Sequence, residues 1–227
     1  MAAQLVLPFG VKPALGRDDF ITAPCNEQAF QFIQRWPEWP ARAAAIHGPA
    51  GCGKSHLAAI WAESAGAQVI SARDLGAEGF DSHSQTFAFA IEDIDDAAPN
   101  PTRDRALLGL FERPGAWLLL TARDPPAEWK SAIGDLKSRF QSLVAFHVWA
   151  PDDVLLCALV VKHLADRQLG APPAVVARIV TQIERTPEAI SRFIARVDVK
   201  ALAEKRAVTE RLVLELLESE AHRGNVA

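Results

Sequence analysis

Cysteine is scarce. Cys25, Cys52 and Cys157 are three widely spaced residues with no CxxC pair, an odd number that excludes a fully paired disulfide framework and argues against a zinc site. Free thiols in a reducing compartment are the expectation. Long apolar runs are also missing. The longest, Val154 to Val161, falls far short of the roughly 18 residues needed to cross a bilayer. The N-terminus lacks the basic stretch and apolar core of a secretory signal, so a soluble cytoplasmic protein is expected, with no membrane partner. Positive charge is not in excess. The formal net charge of −4 offers no broad basic surface for a phosphate backbone, so any nucleic-acid contact would be local. What is present is ordinary for a globular chain: 49% hydrophobic and 23% charged residues, and a length of 227, between one and two domains at about 150 residues each.

Residues 1–16, with two prolines and two glycines and no helical period, read as an extended tail. A helix is expected from Asn26 as cap, with Ala29, Phe30 and Ile33 on one face. Five apolar runs then read as strands: Ala43–His47, Ala67–Ser71, Thr86–Ile91, Ala116–Thr121 and Leu143–Val148. Helix-like segments such as Lys54–Ala65 separate them. Strands apolar throughout, alternating with helices, predict a parallel five-stranded sheet covered on both faces, an α/β base over residues 17–150. Beyond residue 150 only helical signals remain, and residues 151–227 read as a small all-helical lid. Its first helix starts near Asp152 and Asp153 and is expected to stop at Gly170; the second follows Pro172–Pro173. Thr186 and Pro187 open the third and Thr209 the fourth, with Val208 and Val213 as a hydrophobic staple. On the last helix Glu210, Glu215, Glu218 and Glu220 read as a solvated acidic face, a poor surface for DNA.

The strongest motif is Gly48-Pro49-Ala50-Gly51-Cys52-Gly53-Lys54-Ser55, a full match to G-x-x-x-x-G-K-[S/T] between a strand and a helix. Its glycines let the backbone form a ring of N–H donors around a phosphate, reinforced by the positive end of the following helix. Lys54 is expected on the terminal phosphates and Ser55 on Mg²⁺, and the nucleotide is expected to be ADP or ATP. Cys52 fills a free position of the loop. His47 and His56 flank it and read as structural, with His56 at the rim of the nucleotide site. A second strand must bring an acid to the metal, and the run ending at Ile91 is followed by Glu92 and Asp93. The usual order is aspartate then the acid that polarises water; here Glu92 is one methylene longer and Asp93 one shorter. Metal binding is expected from Glu92 and Asp93, with weak intrinsic hydrolysis.

Together these motifs resemble the DnaA branch of the AAA+ ATPases over about residues 17 to 220. Asp18-Asp-Phe-Ile-Thr-Ala-Pro-Cys-Asn26 resembles the leading segment that walls the adenine site in that branch, which implies Phe20 and Ile21 as nucleotide contacts. Leu118-Leu-Leu-Thr-Ala-Arg-Asp-Pro-Pro126 resembles the strand that senses the γ-phosphate, a role left between Thr121 and Arg123. Leu136-Lys-Ser-Arg-Phe140 resembles the L-x-S-R-F signature, whose arginine reaches a neighbouring subunit's nucleotide; this implies Arg139 as a finger acting in trans. The second sensor, a lid arginine, falls to Arg185 with Arg192 as competitor. The chain leaves no room after the fourth lid helix for the DNA-binding domain of DnaA initiators, so no sequence-specific DNA binding is expected. Gln4-Leu-Val-Leu-Pro-Phe9 resembles the peptide by which replication proteins dock on the DNA polymerase sliding clamp, implying contacts from Gln4, Leu5, Leu7, Pro8 and Phe9.

That combination resembles the Hda family of regulators, which inactivate DnaA. It implies the sliding clamp and DnaA as partners, and it is compatible with a homodimer. Two other readings stay open: a self-contained ATPase or helicase-loader-like motor, and a P-loop phosphotransferase, for which no acceptor-side base stands out. The six tryptophans read as core or interface packing, since no basic stripe accompanies them.

Overall fold

The computed structural model describes residues 15–76, 87–96 and 98–224, with side chains through Ser219. The expected clamp-docking residues Gln4, Leu5, Leu7, Pro8 and Phe9 therefore lie outside the described residues. The chain forms two compact units, one carrying residues 15–150 and the other residues 151–224. Among the described residues no helix is long and apolar enough to cross a membrane.

In the first unit the strands are β1 (Ala43–His47), β2 (Gln68–Ser71), β3 (Ala88–Glu92), β4 (Trp117–Ala122) and β5 (Val144–His147). They form one parallel sheet in the order β2-β3-β4-β1-β5. The helices are α1 (Glu27–Gln34), α2 (Lys54–Ala65), α3 (Pro101–Glu112) and α4 (Gly134–Gln141). Alternation along each strand assigns the faces. Ala44, Ile46, Ala88, Ala90 and Leu119 join one core with Phe30, Ile33, Leu57 and Trp61 of α1 and α2. Ala45, Phe89, Ile91, Leu118 and Leu120 join the other with Leu107, Leu110, Leu136 and Phe140 of α3 and α4. The expected five-stranded parallel sheet with helices on both faces is the observed architecture.

β1 has the expected limits, and those of the other strands differ from expectation by one or two residues. β3 runs through Glu92 because Glu92 pairs with Ser71, and the chain leaves the ladder at Asp93, whose φ is 57°. Asn26 is buried at the start of α1 but its side chain caps no helical N–H. Instead Asn26 Oδ1 accepts from Ala23 N at 2.8 Å and Nδ2 donates to Ile21 O at 3.0 Å, closing the preceding turn.

The second unit holds α5 (Asp153–Ala165), α6 (Pro173–Gln182), α7 (Pro187–Glu204) and α8 (Glu210–Gly224). Asp152 caps α5 through Leu155 N at 2.8 Å, and Thr186 caps α7 through Ala189 N at 3.1 Å. Val208 and Val213 are both buried, and Leu212 N donates to Thr209 Oγ1 at 3.4 Å. Helix α5 ends before the expected Gly170: the chain turns at Gln168 (φ 58°), and Leu169 N donates back to Leu164 O at 2.9 Å. Two of the acidic residues expected to be solvated on α8, Glu210 and Glu215, form ion pairs. Glu210 pairs with Arg178, and Glu215 meets Lys200, Arg206 and Arg211, which hold its carboxyl down to about 2.

Candidate functional site

The site gathers at the C-terminal ends of the parallel strands, where ligands of open α/β sheets bind. β1 delivers its last residue, His47, to the loop Gly48–Gly53, and α2 starts at Lys54. Gly48 (φ 152°), Gly51 (φ 71°) and Gly53 (φ 102°) all occupy conformations costly for other residues. A Cβ at Gly48 would lie 2.0 Å from Val148 O. Gly48→Ala must therefore displace backbone, and a loss of about 1–3 kcal/mol is expected by urea unfolding.

Lys54 is buried, and its Nζ donates to Gly48 O at 2.8 Å and Pro49 O at 2.9 Å. Its charge thus sits inside the loop that a phosphate would enter. Ser55 is exposed in the first turn of α2, where helical N–H groups lack intrahelical acceptors. Pro49, Ala50 and Gly51 are exposed on the loop. Burial pushes the Cys52 thiol up, so it stays protonated and a poor nucleophile at neutral pH.

The leading segment folds against this loop. Phe20 stacks on Phe30 with ring centroids 5.0 Å apart and meets the His56 ring edge-on at 5.1 Å. The His56 Nε2 is 3.0 Å from Gly16 O, and Phe20 is within 3.9 Å of a Cβ placed on Gly53. Ile21 is half-buried, its carbonyl held by Asn26. Phe20, His56 and the loop are therefore brought together.

Strand β4 lies between β1 and β3 and ties the loop to the acids. Gly48 N donates to Ala122 O at 3.2 Å. On the other side Asp93 N donates to Thr121 Oγ1 at 3.3 Å and Ile94 N to Thr121 O at 3.0 Å. Thr121 is buried, its hydroxyl accepting from Asp93, whereas Arg123 exposes its side chain while its N–H donates to Asp95 Oδ2 at 2.7 Å. Glu92 Oε1 and Asp95 Oδ1 are buried and form no hydrogen bond. The orphaned carboxylate oxygen of Glu92, at the end of β3, has the chemistry that the water shell of a divalent cation would meet, and the exposed Ser55 hydroxyl is a second oxygen donor of the kind Mg²⁺ takes; Asp93 is exposed.

One pair at the site has no counterpart among the sequence-based expectations. His47 and His147 end neighbouring strands in register, with their Nδ1 atoms 3.3 Å apart, one donating and the other accepting. Burial, then His147, holds the His47 imidazole below its ordinary 6.5, with Asp124 opposing and Lys54 assisting. With the folded value depressed, the unfolded chain takes up the proton first on acidification. Stability is therefore expected to fall as the pH drops below about 6.5, and His47→Gln should flatten that slope in urea titrations.

On α4, Leu136 and Phe140 are fully buried, and Phe140 meets Trp129 edge-on at 5.0 Å. Burial of two such side chains contributes about 1.5–3 kcal/mol each and fixes which side of the helix faces in. Lys137, Ser138 and Arg139 consequently face out, and the Arg139 side chain makes no hydrogen bond or ion pair among the described residues. In the helical unit Arg185 pairs with Asp153 at 2.6 Å and donates to Pro151 O at 3.4 Å, whereas Arg192 only approaches Glu188 at 3.9 Å.

No protein-family description and no curated protein matches the sequence. Solved structures do match. Domain III of the replication initiation protein DnaA from Thermotoga maritima superposes with a TM-score of 0.76 at 15% identity, covering 92% of this chain and 97% of that one. This chain has the AAA+ fold. AMPPCP-bound DnaA from Aquifex aeolicus gives 0.73 at 15% identity, over 95% of this chain and 71% of the other. A single-residue variant of Thermotoga maritima RuvB gives 0.71 at 17% identity, over 90% and 72%. At these identities the likeness concerns the AAA+ fold.

Proposed function

We propose that this chain is a nucleotide-binding regulator of replication initiation of the Hda kind. It holds ADP or ATP with Mg²⁺, docks on the sliding clamp through Gln4, Leu5, Leu7, Pro8 and Phe9, and presents Arg139 to the ATP site of DnaA. DnaA–ATP would thereby become DnaA–ADP. The observation that carries the reading is an arginine held outward on α4 by two buried neighbours, with no partner of its own among the described residues. In its own site Lys54 and the loop N–H groups would hold the phosphates, with Phe20, Ile21 and His56 beside the nucleoside. Ser55 and Glu92 would hold Mg²⁺, which neutralises phosphate charge. Arg123, whose side chain is exposed, suits γ-phosphate sensing better than Thr121, which is buried. As the lid sensor we favour Arg185, which bonds Asp153 and Pro151 O, over Arg192, which only approaches Glu188.

The buried, unpaired Oε1 of Glu92 favours one second reading, a homo-oligomeric ATPase that spends its own nucleotide. Clamp binding separates the two. The purified chain is expected to co-elute with a sliding clamp, and removal of residues 1–9 or Gln4→Ala should end co-elution. Equal retention with and without the tail, together with ATP turnover by the chain alone, would replace the regulator by the motor.

A further inference from the structure

Two charged residues that the site does not use lie buried between it and α4. Arg103 and Asp104, in the first turn of α3, are 2% and 0% exposed. The guanidinium Nε donates to Asp104 Oδ1 at 2.8 Å, and its terminal nitrogens donate to Ile94 O at 3.4 Å and Lys130 O at 3.2 Å. Asp104 Oδ2 accepts from Ser131 Oγ at 2.8 Å and Ala132 N at 2.6 Å. Ile94 belongs to the turn that follows Glu92 and Asp93, and residues 130–132 lead directly into α4. One ion pair therefore bonds to both the acid turn and the approach to Arg139.

Stability is a weak reason for such a pair, because well-packed apolar residues of similar volume often serve a core equally well. What directional bonds add is geometry: a shift of the acid turn displaces the guanidinium, the carboxylate and then residues 131–132. Resting on the reading of Arg139 above, we propose that Arg103 and Asp104 form a positioning brace through which nucleotide in this chain's own site sets the placement of Arg139. The dependence is reciprocal: whatever holds Arg139 in its working position tightens nucleotide binding by the same factor.

Ser131 allows a test that leaves the ion pair intact: its replacement removes the bond to Asp104 and, at the start of α4, the Oγ contacts with Ile133 O and Ile133 N, both 3.0 Å, so the ADP response of α4 in each variant is read against the same variant without nucleotide. Amide hydrogen exchange is followed in the full chain with and without ADP and Mg²⁺. In the wild type, ADP is expected to slow exchange in α2 and, roughly fivefold, in α4. Ser131→Ala should retain the effect in α2 and lose it in α4, and Ser131→Thr should restore it. In trans, Ser131→Ala should lower the maximal DnaA–ATP hydrolysis about tenfold without changing the half-saturating DnaA concentration, as expected of a misplaced group. Protection of α2 with an α4 response that is absent, or identical in Ser131→Ala, overturns the brace alone. Absence of α2 protection removes the nucleotide reading and the brace with it. If α4 couples to ADP as expected but the wild type leaves DnaA–ATP untouched, the brace stands and the role of Arg139 on DnaA fails.

Discussion

Arg139→Ala is expected to lower clamp-dependent hydrolysis of DnaA-bound ATP by about 10³-fold or more, the range over which arginine fingers act in other nucleotide hydrolases. The physical reason is charge supplied at a site with little other covalent work to do. A guanidinium placed beside a leaving phosphate offsets charge that develops in the transition state and costs no reorganisation at that moment. The same substitution should change the stability of the chain by no more than about 0.5 kcal/mol, because the side chain is exposed and makes no contact that holds α4. Affinity for its own nucleotide should also persist. Arg139→Lys should recover little, since a point charge cannot reproduce the planar fork. Single-turnover phosphate release, urea unfolding and nucleotide titration on the same preparation separate these effects.

Asp104→Ala is expected to carry the largest stability cost. It strands the Arg103 guanidinium in a site 2% exposed and removes the acceptor for Ser131 Oγ and Ala132 N. Breaking one partner of a buried pair typically costs about 3–5 kcal/mol, a large share of the roughly 5–15 kcal/mol that holds a domain together. The urea midpoint should fall with the slope unchanged. A loss below about 1 kcal/mol would mean that water reaches the guanidinium once the carboxylate is gone.

The elements that sequence reasoning locates well are those governed by short-range rules. Strand β1 and helix α2 fall where the apolar run and the glycine loop place them, because Gly53 and Gly66 bracket the helix in left-handed conformations. The caps Asp152 and Thr186 are equally local. The limits of β3 and α5 depart from expectation where the chain turns at a non-glycine residue of positive φ, Asp93 and Gln168, a choice set by neighbouring hydrogen bonds rather than residue type. Helix α3 hides its role most completely. Arg103 and Asp104 are adjacent opposite charges in a polar stretch whose sequence carries no sign of burial; the packing of residues 94 and 130–132 around them makes them interior. The Asn100–Pro101 start of that helix is the available signal, and Asn100 Oδ1 does accept from Arg103 N at 2.8 Å. The pairing of His47 with His147, a hundred residues apart, leaves no local trace.

Charge lent to another protein's triphosphate is the claim to test most directly. DnaA is loaded with γ-labelled ATP, freed of excess nucleotide, and mixed with DNA-bound clamp and this chain carrying unlabelled ADP. Labelled phosphate should then be released within one turnover, at a rate that depends on the clamp and on Arg139. Release at the unstimulated rate in the complete mixture would contradict it.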